Sequence, residues 1–191
     1  MNRPDDGWIV AVPLKPAGSR KTRLAARLDG ATRDRLAAAM FGHVVATIAQ
    51  VPGVRVVPVC ETAPDGWAGA WHRDEGAGLN EALAGLRTAH GDASFAVIHA
   101  DLPRLAADDV TALLVAGQTG LALAPDRHGG GTNALAVAAG RPLAFRFGPG
   151  SLARFSAESG GAAVLVRRPG LALDIDTPAD LDLAGGETDP A

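Results

Sequence analysis

The chain has one cysteine, Cys60, in 191 residues. That excludes an internal disulfide framework and any cysteine-rich zinc site, and it fits a reducing compartment. A charge excess of either sign is missing as well: 18 Lys and Arg stand against 21 Asp and Glu, a formal net charge of -3. No sequence-wide basic field offers itself to nucleic acid, so any anion has to be met locally. Long apolar runs are absent too, and nothing approaches the ~18 consecutive apolar residues of a membrane span. The first residues, Met1 to Gly7, carry Asp5 and Asp6 where a secretory leader would carry positive charge. The expectation is a cytoplasmic protein with neither nucleic acid nor membrane as partner.

What is present is 47% hydrophobic residues in a chain of this length, enough for one globular domain over 1–191 with a real core and fraying ends at 1–7 and 185–191. Apolar runs of strand length alternate with segments of helical period, which predicts an α/β fold with a mostly parallel twisted sheet flanked by helices. The expected strands are 8–13, 54–59, 94–101, 120–126, 132–138 and 162–168. Segment 171–185 reads as a further strand running into a final helix. Helices are expected over 32–51, behind a Thr32 cap and with Leu36, Met40, Val44 and Ile48 at four-residue spacing, and over 79–90, 107–117 and 149–160. Residues 61–77 carry Gly, Pro and charge without a period and read as loop with one short element at most.

Ligands of such sheets sit at the carboxyl ends of strands, so the informative residues follow each apolar run. After the first comes "VPLKPAGSRKTRLA", with Lys15, Arg20, Lys21 and Arg23 on a backbone shaped by Pro13, Pro16 and Gly18. Four cations there point to a polyphosphate. A P-loop needs glycine before the Lys of Lys-Ser/Thr, and here Arg20 precedes Lys21 and Thr22, so side chains would hold the phosphates. Asp101, after "FAVIHA", offers an exposed carboxylate to a hard cation or else serves as a cap or turn-former. Asp174 and Asp176 alternate about Ile175, as on one face of a strand, although Asp176-Thr177-Pro178 also reads as a helix start. Two carboxylates from separate strands, with phosphates completing the shell, suit Mg²⁺.

Asp126 and Arg127 with the run Gly129 to Gly131 follow "LALAP". "GGGTNA" mimics a dinucleotide fingerprint, but Arg154 stands about 20 positions on, where an acidic residue is needed. In "RFGPGS", Gly148 and Gly150 let the backbone approach a ligand and Ser151 opens a helix whose N-terminus can bind an anion; a plain Ser-capped helix is the alternative. His43 reads as structural, and His128 lies in a polar loop within reach of a ligand.

In order along the chain, "VPLKPAGSRKTRLA", "GLNEAL", "ADLP", "APDRHGGGTNAL", "FGPGS" and "LDIDTPADL" resemble the 2-phospho-L-lactate or phosphoenolpyruvate guanylyltransferases of deazaflavin coenzyme biosynthesis. The resemblance covers nearly the whole chain, and "DRHGGGTNAL" followed by "FGPGS" is its most specific part. It implies a single-domain Rossmann-like nucleotidyltransferase. That enzyme moves GMP from GTP to the phosphate of a small phosphorylated carboxylic acid (phosphoenolpyruvate, 2-phospho-L-lactate or 3-phosphoglycerate) and releases pyrophosphate. By the same resemblance Lys15, Lys21 and Arg23 hold the triphosphate. Lys21, Asp101 and Asp176 carry catalysis, and Asp101 and Asp176 bind Mg²⁺, with Asp174 the alternative second ligand. Gly78 and Asn80 lie near the guanine, and Thr132, Asn133, Gly148 and Ser151 take the acceptor. The chain departs from the family between Glu61 and Ala77, where an apolar strand-like segment is expected before the "GLNEAL" helix and is missing, which bears on guanine selectivity. Two other readings remain: a nucleotidyltransferase of the same fold acting on a sugar phosphate or a molybdenum cofactor, and a non-catalytic domain that binds GTP without releasing pyrophosphate.

Overall fold

The computed structural model describes residues 7–185; of the ends expected to fray, 1–6 and 186–191 lie outside the described residues, while Gly185 still closes the last helix. The elements run β1 (Trp8–Pro13), a 3-10 turn (Thr22–Leu24), α1 (Gly30–Ile48), β2 (Val54–Cys60), β3 (His72–Arg73), α2 (Leu79–Ala89), β4 (Phe95–Ile98), α3 (Ala107–Gly117), β5 (Leu121–Pro125), β6 (Thr132–Val137), α4 (Ser151–Glu158), β7 (Val164–Leu165), α5 (Pro169–Ala172) and α6 (Pro178–Gly185).

They form one seven-stranded sheet in the order β3-β2-β1-β4-β6-β5-β7. It is parallel throughout except at β6, which runs antiparallel to both β4 and β5. β1 and β4 lie inside the sheet with packed layers on both faces, which is why they read as unbroken apolar runs rather than alternating ones. One layer packs Phe41, Val44 and Ile48 of α1 and Leu113 of α3 onto Val10, Ala96 and Ala136. The other packs Leu83 and Leu86 of α2 with Phe145, Phe147 and Phe155 onto Ile9, Phe95 and Val97. A third, smaller cluster joins Leu24, Met40, Leu173 and Ile175; it ties the cationic loop and the segment before α6 to the same helix. Burying Leu24 there stabilises the loop by about 2 kcal/mol. Among the described residues no helix is long and apolar enough to cross a membrane.

Three local expectations are corrected. α1 starts two residues before Thr32, and its cap is Asp29, whose carboxylate accepts the Thr32 N–H at 2.7 Å. Residues 171–176 form no strand: the last turn of α5 ends at Ala172, and beyond it a single ladder-like bond, Ile175 N–H to Asp101 O at 3.2 Å, replaces sheet pairing. The strand expected over 162–168 pairs only at Val164 and Leu165, both exposed at the sheet edge. In 61–77 the short element is β3, paired to the end of β2 through Val59 and Cys60.

Candidate active site

Because β6 is antiparallel, its first residues arrive where β4 ends: Ile98 pairs with Ala134, and His99 N–H donates to Asn133 O at 3.0 Å. The loop after β1, the end of β4, the start of β6 and the segment 174–176 thus share one edge of the sheet. They enclose a cavity of about 690 Å³. Lys15, Lys21, Arg23, Asp101, Asp174 and Asp176 line it, and so do Thr132, Asn133, Gly148 and Ser151. Gly78 and Asn80 do not, although Leu79 between them does.

The cationic loop is fixed from several sides. Asp34 of α1 accepts the Gly18 N–H (3.0 and 3.2 Å), and Arg20 Nε donates to Lys15 O at 2.7 Å. Lys21 adopts the left-handed conformation (φ 51°, ψ 41°) just before the 3-10 turn, unusual for a side-chain-bearing residue and found where surroundings enforce it. Its Nζ lies 2.5 Å from Asp101 Oδ2 and 3.0 Å from Asp176 Oδ1. Burial works against the Lys21 charge, but Asp101 and Asp176 outweigh it and hold the ammonium above the ordinary lysine range. The same exchange operates on Asp101: burial opposes its charge, Lys21 and His99 overcome that, and the carboxyl titrates below its usual value. Arg23 is more loosely engaged, 3.7 Å from Asp176 Oδ2, and Lys15 is exposed.

Asp101 is therefore no helix cap. Nor does Asp176 cap α6: its carboxylate faces Lys21, while Asp180 Oδ2 accepts the Asp176 N–H (3.0 Å), the Thr177 N–H (2.6 Å) and the Thr177 hydroxyl (2.8 Å). Asp180 is buried and is also paired with Arg127. Asp174 differs from its neighbours: burial, then the charge of Asp101, push its carboxyl up, against the pull of Asn133. The Asn133 amide donates to Leu171 O and Ala172 O (both 3.1 Å) and to Asp174 Oδ1 (3.2 Å). Its NH₂ group thus carries the segment that bears Asp174, while the residue also lines the cavity.

The donor set fits a hard divalent cation. Asp101, Asp174 and Asp176 each offer an oxygen within 4.8 Å of the others, and Asp101 Oδ1 is buried without a hydrogen-bond partner. A few carboxylate oxygens, with room for phosphate and water, are what Mg²⁺ takes.

Across the cavity, Gly148 (φ 121°) and Gly150 (φ 71°) bend the chain into α4. Gly150 occupies the cap position with no side-chain cap bond, so Ser151 is the first helical residue rather than its cap. Ser151 N–H donates to Gly148 O at 3.0 Å, and the first turn of a helix favours an anion. Thr132 lines the same cavity, and its Oγ1 is buried and unpartnered.

Asn80 is engaged elsewhere: Phe147 N–H donates to its Oδ1 at 2.8 Å, and its Nδ2 donates to Phe147 O at 3.3 Å. Three contributors were not singled out from the sequence. His99, at the end of β4, lines the cavity with its ring 5.1 Å from that of Phe147, and Asp180 is the third. The signal for His99 was its position directly after an apolar run; for Asp180 it was its spacing three residues after Thr177. His43 is structural, with Nε2 3.1 Å from Leu105 O, and His128 is exposed.

Comparison with known proteins bears on this geometry. The sequence pattern of the family described as "Guanylyl transferase CofC like" matches residues 8–184. A phosphoenolpyruvate guanylyltransferase of Sphaerobacter thermophilus is 36% identical, the match covering 93% of this chain and 92% of that protein. One of Rubrobacter xylanophilus is 39% identical, covering 91% of each. Among solved structures, a nucleotidyl transferase from Methanothermobacter superposes with a TM-score of 0.64 at 16% identity, covering 93% of this chain and 95% of that one. A CMP:2-keto-3-deoxy-manno-octonic acid synthetase complexed with CTP gives 0.60 at 14%, covering 93% and 96%. These two structural likenesses speak for the fold.

Proposed function

Because the chain belongs to the CofC-like guanylyl transferase family, we propose that it transfers GMP from GTP to the phosphate of phosphoenolpyruvate or a near relative, 2-phospho-L-lactate or 3-phosphoglycerate. It does so in the cytoplasm as a step of deazaflavin coenzyme biosynthesis. Phosphoenolpyruvate comes first because it is the acceptor in the names of the similar enzymes. The observation that carries the reading is a juxtaposition. Lys21, bridging Asp101 and Asp176, shares one cavity with the N-terminus of α4 and the unpartnered Thr132 hydroxyl, which supports a triphosphate site and a second anion site in the same cavity.

The chemistry follows from the charges. An oxygen of the acceptor phosphate, already anionic, attacks the α-phosphorus of GTP; the bond from that phosphorus to the bridging oxygen of the β-phosphate breaks, and pyrophosphate leaves. No strong general base is required. What is required is that two polyanions meet in line with their repulsion cancelled. Lys15 and Arg23 at the mouth neutralise the triphosphate, and Lys21 stabilises the departing pyrophosphate. Thr132, Gly148 and Ser151 orient the acceptor. Asp101 and Asp176, with Asp174 beside them, would hold Mg²⁺, which when bound supplies Lewis-acid polarisation of the α-phosphate.

Pyrophosphate release with Mg²⁺ and GTP, run against each of the three acids with ATP and CTP as controls, tests this. Release with GTP and one acid alone is expected. Release only with a sugar phosphate or a molybdenum cofactor would move the protein to another branch of the fold, and GTP binding without release would make it a binding domain.

A further inference from the structure

We propose that Asn80 is a positioning residue of the acceptor half of the site, acting through the main chain of Phe147, and not a contact of the guanine base. This rests on the reading that Gly148 to Ser151 receive the acceptor. The segment from Gly140 to Gly150 joins β6 to α4 without regular secondary structure, so its backbone must be fixed by partners outside itself. At Phe147 those partners are two. Phe147 N–H donates to Asn80 Oδ1 (2.8 Å) and Phe147 O accepts from Asn80 Nδ2 (3.3 Å), across 67 residues of sequence. The orientation of the amide is not a free choice, because a backbone N–H can only donate and a carbonyl only accept. Its carboxamide is held at both ends by Phe147, and it is Leu79, not Asn80, that reaches the cavity wall.

The aromatic ring of Phe147 completes the fixation. It is buried, 5.1 Å from the His99 ring on the cavity wall and 5.2 Å, edge-on, from Phe155 of α4. Ring and main chain of one residue are thus held by three different elements. The next residue is Gly148 (φ 121°), and three residues further along the chain α4 is under way. A shift of the Phe147 peptide therefore passes directly into the N–H groups at the start of α4. Asn80 sets where the acceptor's anionic groups are received, from a helix whose buried residues Leu83 and Leu86 anchor it to the sheet.

The test is steady-state kinetics of the full chain with GTP and phosphoenolpyruvate as probes, on wild type, Asn80→Ala and Asn80→Asp. Hydrogen exchange at the Phe147 amide is read in parallel. Asn80→Ala removes both bonds, and the acceptor KM is expected to rise about tenfold or more while the GTP KM stays within about twofold; the Phe147 amide exchanges faster. Asn80→Asp keeps the acceptor for Phe147 N–H and loses the donor to Phe147 O, so it should fall between wild type and alanine, and it remains informative if the alanine variant does not fold. A GTP KM that rises with the acceptor KM unmoved overturns the proposal and returns Asn80 to the base. Equal changes in both constants with unchanged Phe147 exchange also overturn it. Absence of pyrophosphate release from wild type with every acid overturns the functional reading and this inference together.

Discussion

Lys21 Nζ lies between Asp101 and Asp176 at hydrogen-bond distance from both, so one largely buried ammonium is held by two carboxylates and offsets the repulsion between them. Alone, Lys21 or Asp101 would be driven toward its neutral form by burial. Replacing Asp101 by Asn leaves the shape of the side chain but removes one of the carboxylates proposed to hold the metal and half of the Lys21 counter-charge. Turnover is expected to fall at least about 100-fold with the far-UV circular dichroism spectrum unchanged; unaltered pyrophosphate release would remove Asp101 from the mechanism. Asp101 was legible in the sequence because a carboxylate directly after an apolar run has few structural duties at a strand end. His99, two positions earlier, was not: a histidine after a strand reads alike whether it faces core or cavity, and only the ring of Phe147, brought from 48 residues away in sequence, decides. Asn133 was legible as a site residue, yet its amide serves the chain at 171–174, a duty that no spacing announces.

At the scale of elements, the apolar runs and helical periods located β1, β2, β4, β5 and β6 and the helices α1 to α4, because those elements are specified by which side faces the core. Their limits were less legible. Asp29 competes with Thr32 for the start of α1 and wins because its carboxylate reaches the Thr32 N–H. The segment 171–176 looks like a strand because Leu171, Leu173 and Ile175 are buried, but Leu171 packs onto the sheet from α5 while Leu173 and Ile175 pack against Leu24 and Met40, and none of them sits in a paired strand. What aims Asp176 is α6: Asp180 gathers the N–H groups of Asp176 and Thr177 and the Arg127 guanidinium on one carboxylate. Asp180→Ala leaves these donors unpaired and should cost about 2 to 3 kcal/mol of stability, since Arg127 keeps some access to water. It should also lower turnover about 10- to 100-fold, as loss of an orienting partner does at metal sites. Chemical denaturation beside initial rates measures both; a normal rate in a destabilised variant would confine Asp180 to folding.

For the molecule as a whole, the depressed carboxylates set the acid side of stability. Asp101 titrates low because Lys21 and His99 overcome burial, and Asp180 because Thr177, Asp176 and Arg127 do the same. A carboxyl held below its unfolded value contributes stability that is present above about pH 4 and lost as pH falls through the folded value. Asp174, pushed up, works the other way, and its share is lost as pH rises through its own folded value. The melting temperature is therefore expected to drop below about pH 4, and less steeply in Asp180→Asn than in wild type; equal slopes would show that Asp180 carries no part of the acid sensitivity. The sequence by itself determined the alternation of strand and helix, the cationic loop after β1 and the acidic positions at 101, 174 and 176, because period and strand-end chemistry are local properties. Only the tertiary structure decided that β6 runs backwards and so delivers Thr132 and Asn133 to the end of β4, that Lys21 joins Asp101 to Asp176, and that Asn80 grips Phe147. Each of these depends on residues 36 to 155 positions apart, and distance in sequence carries no record of which side chains the sheet will bring together.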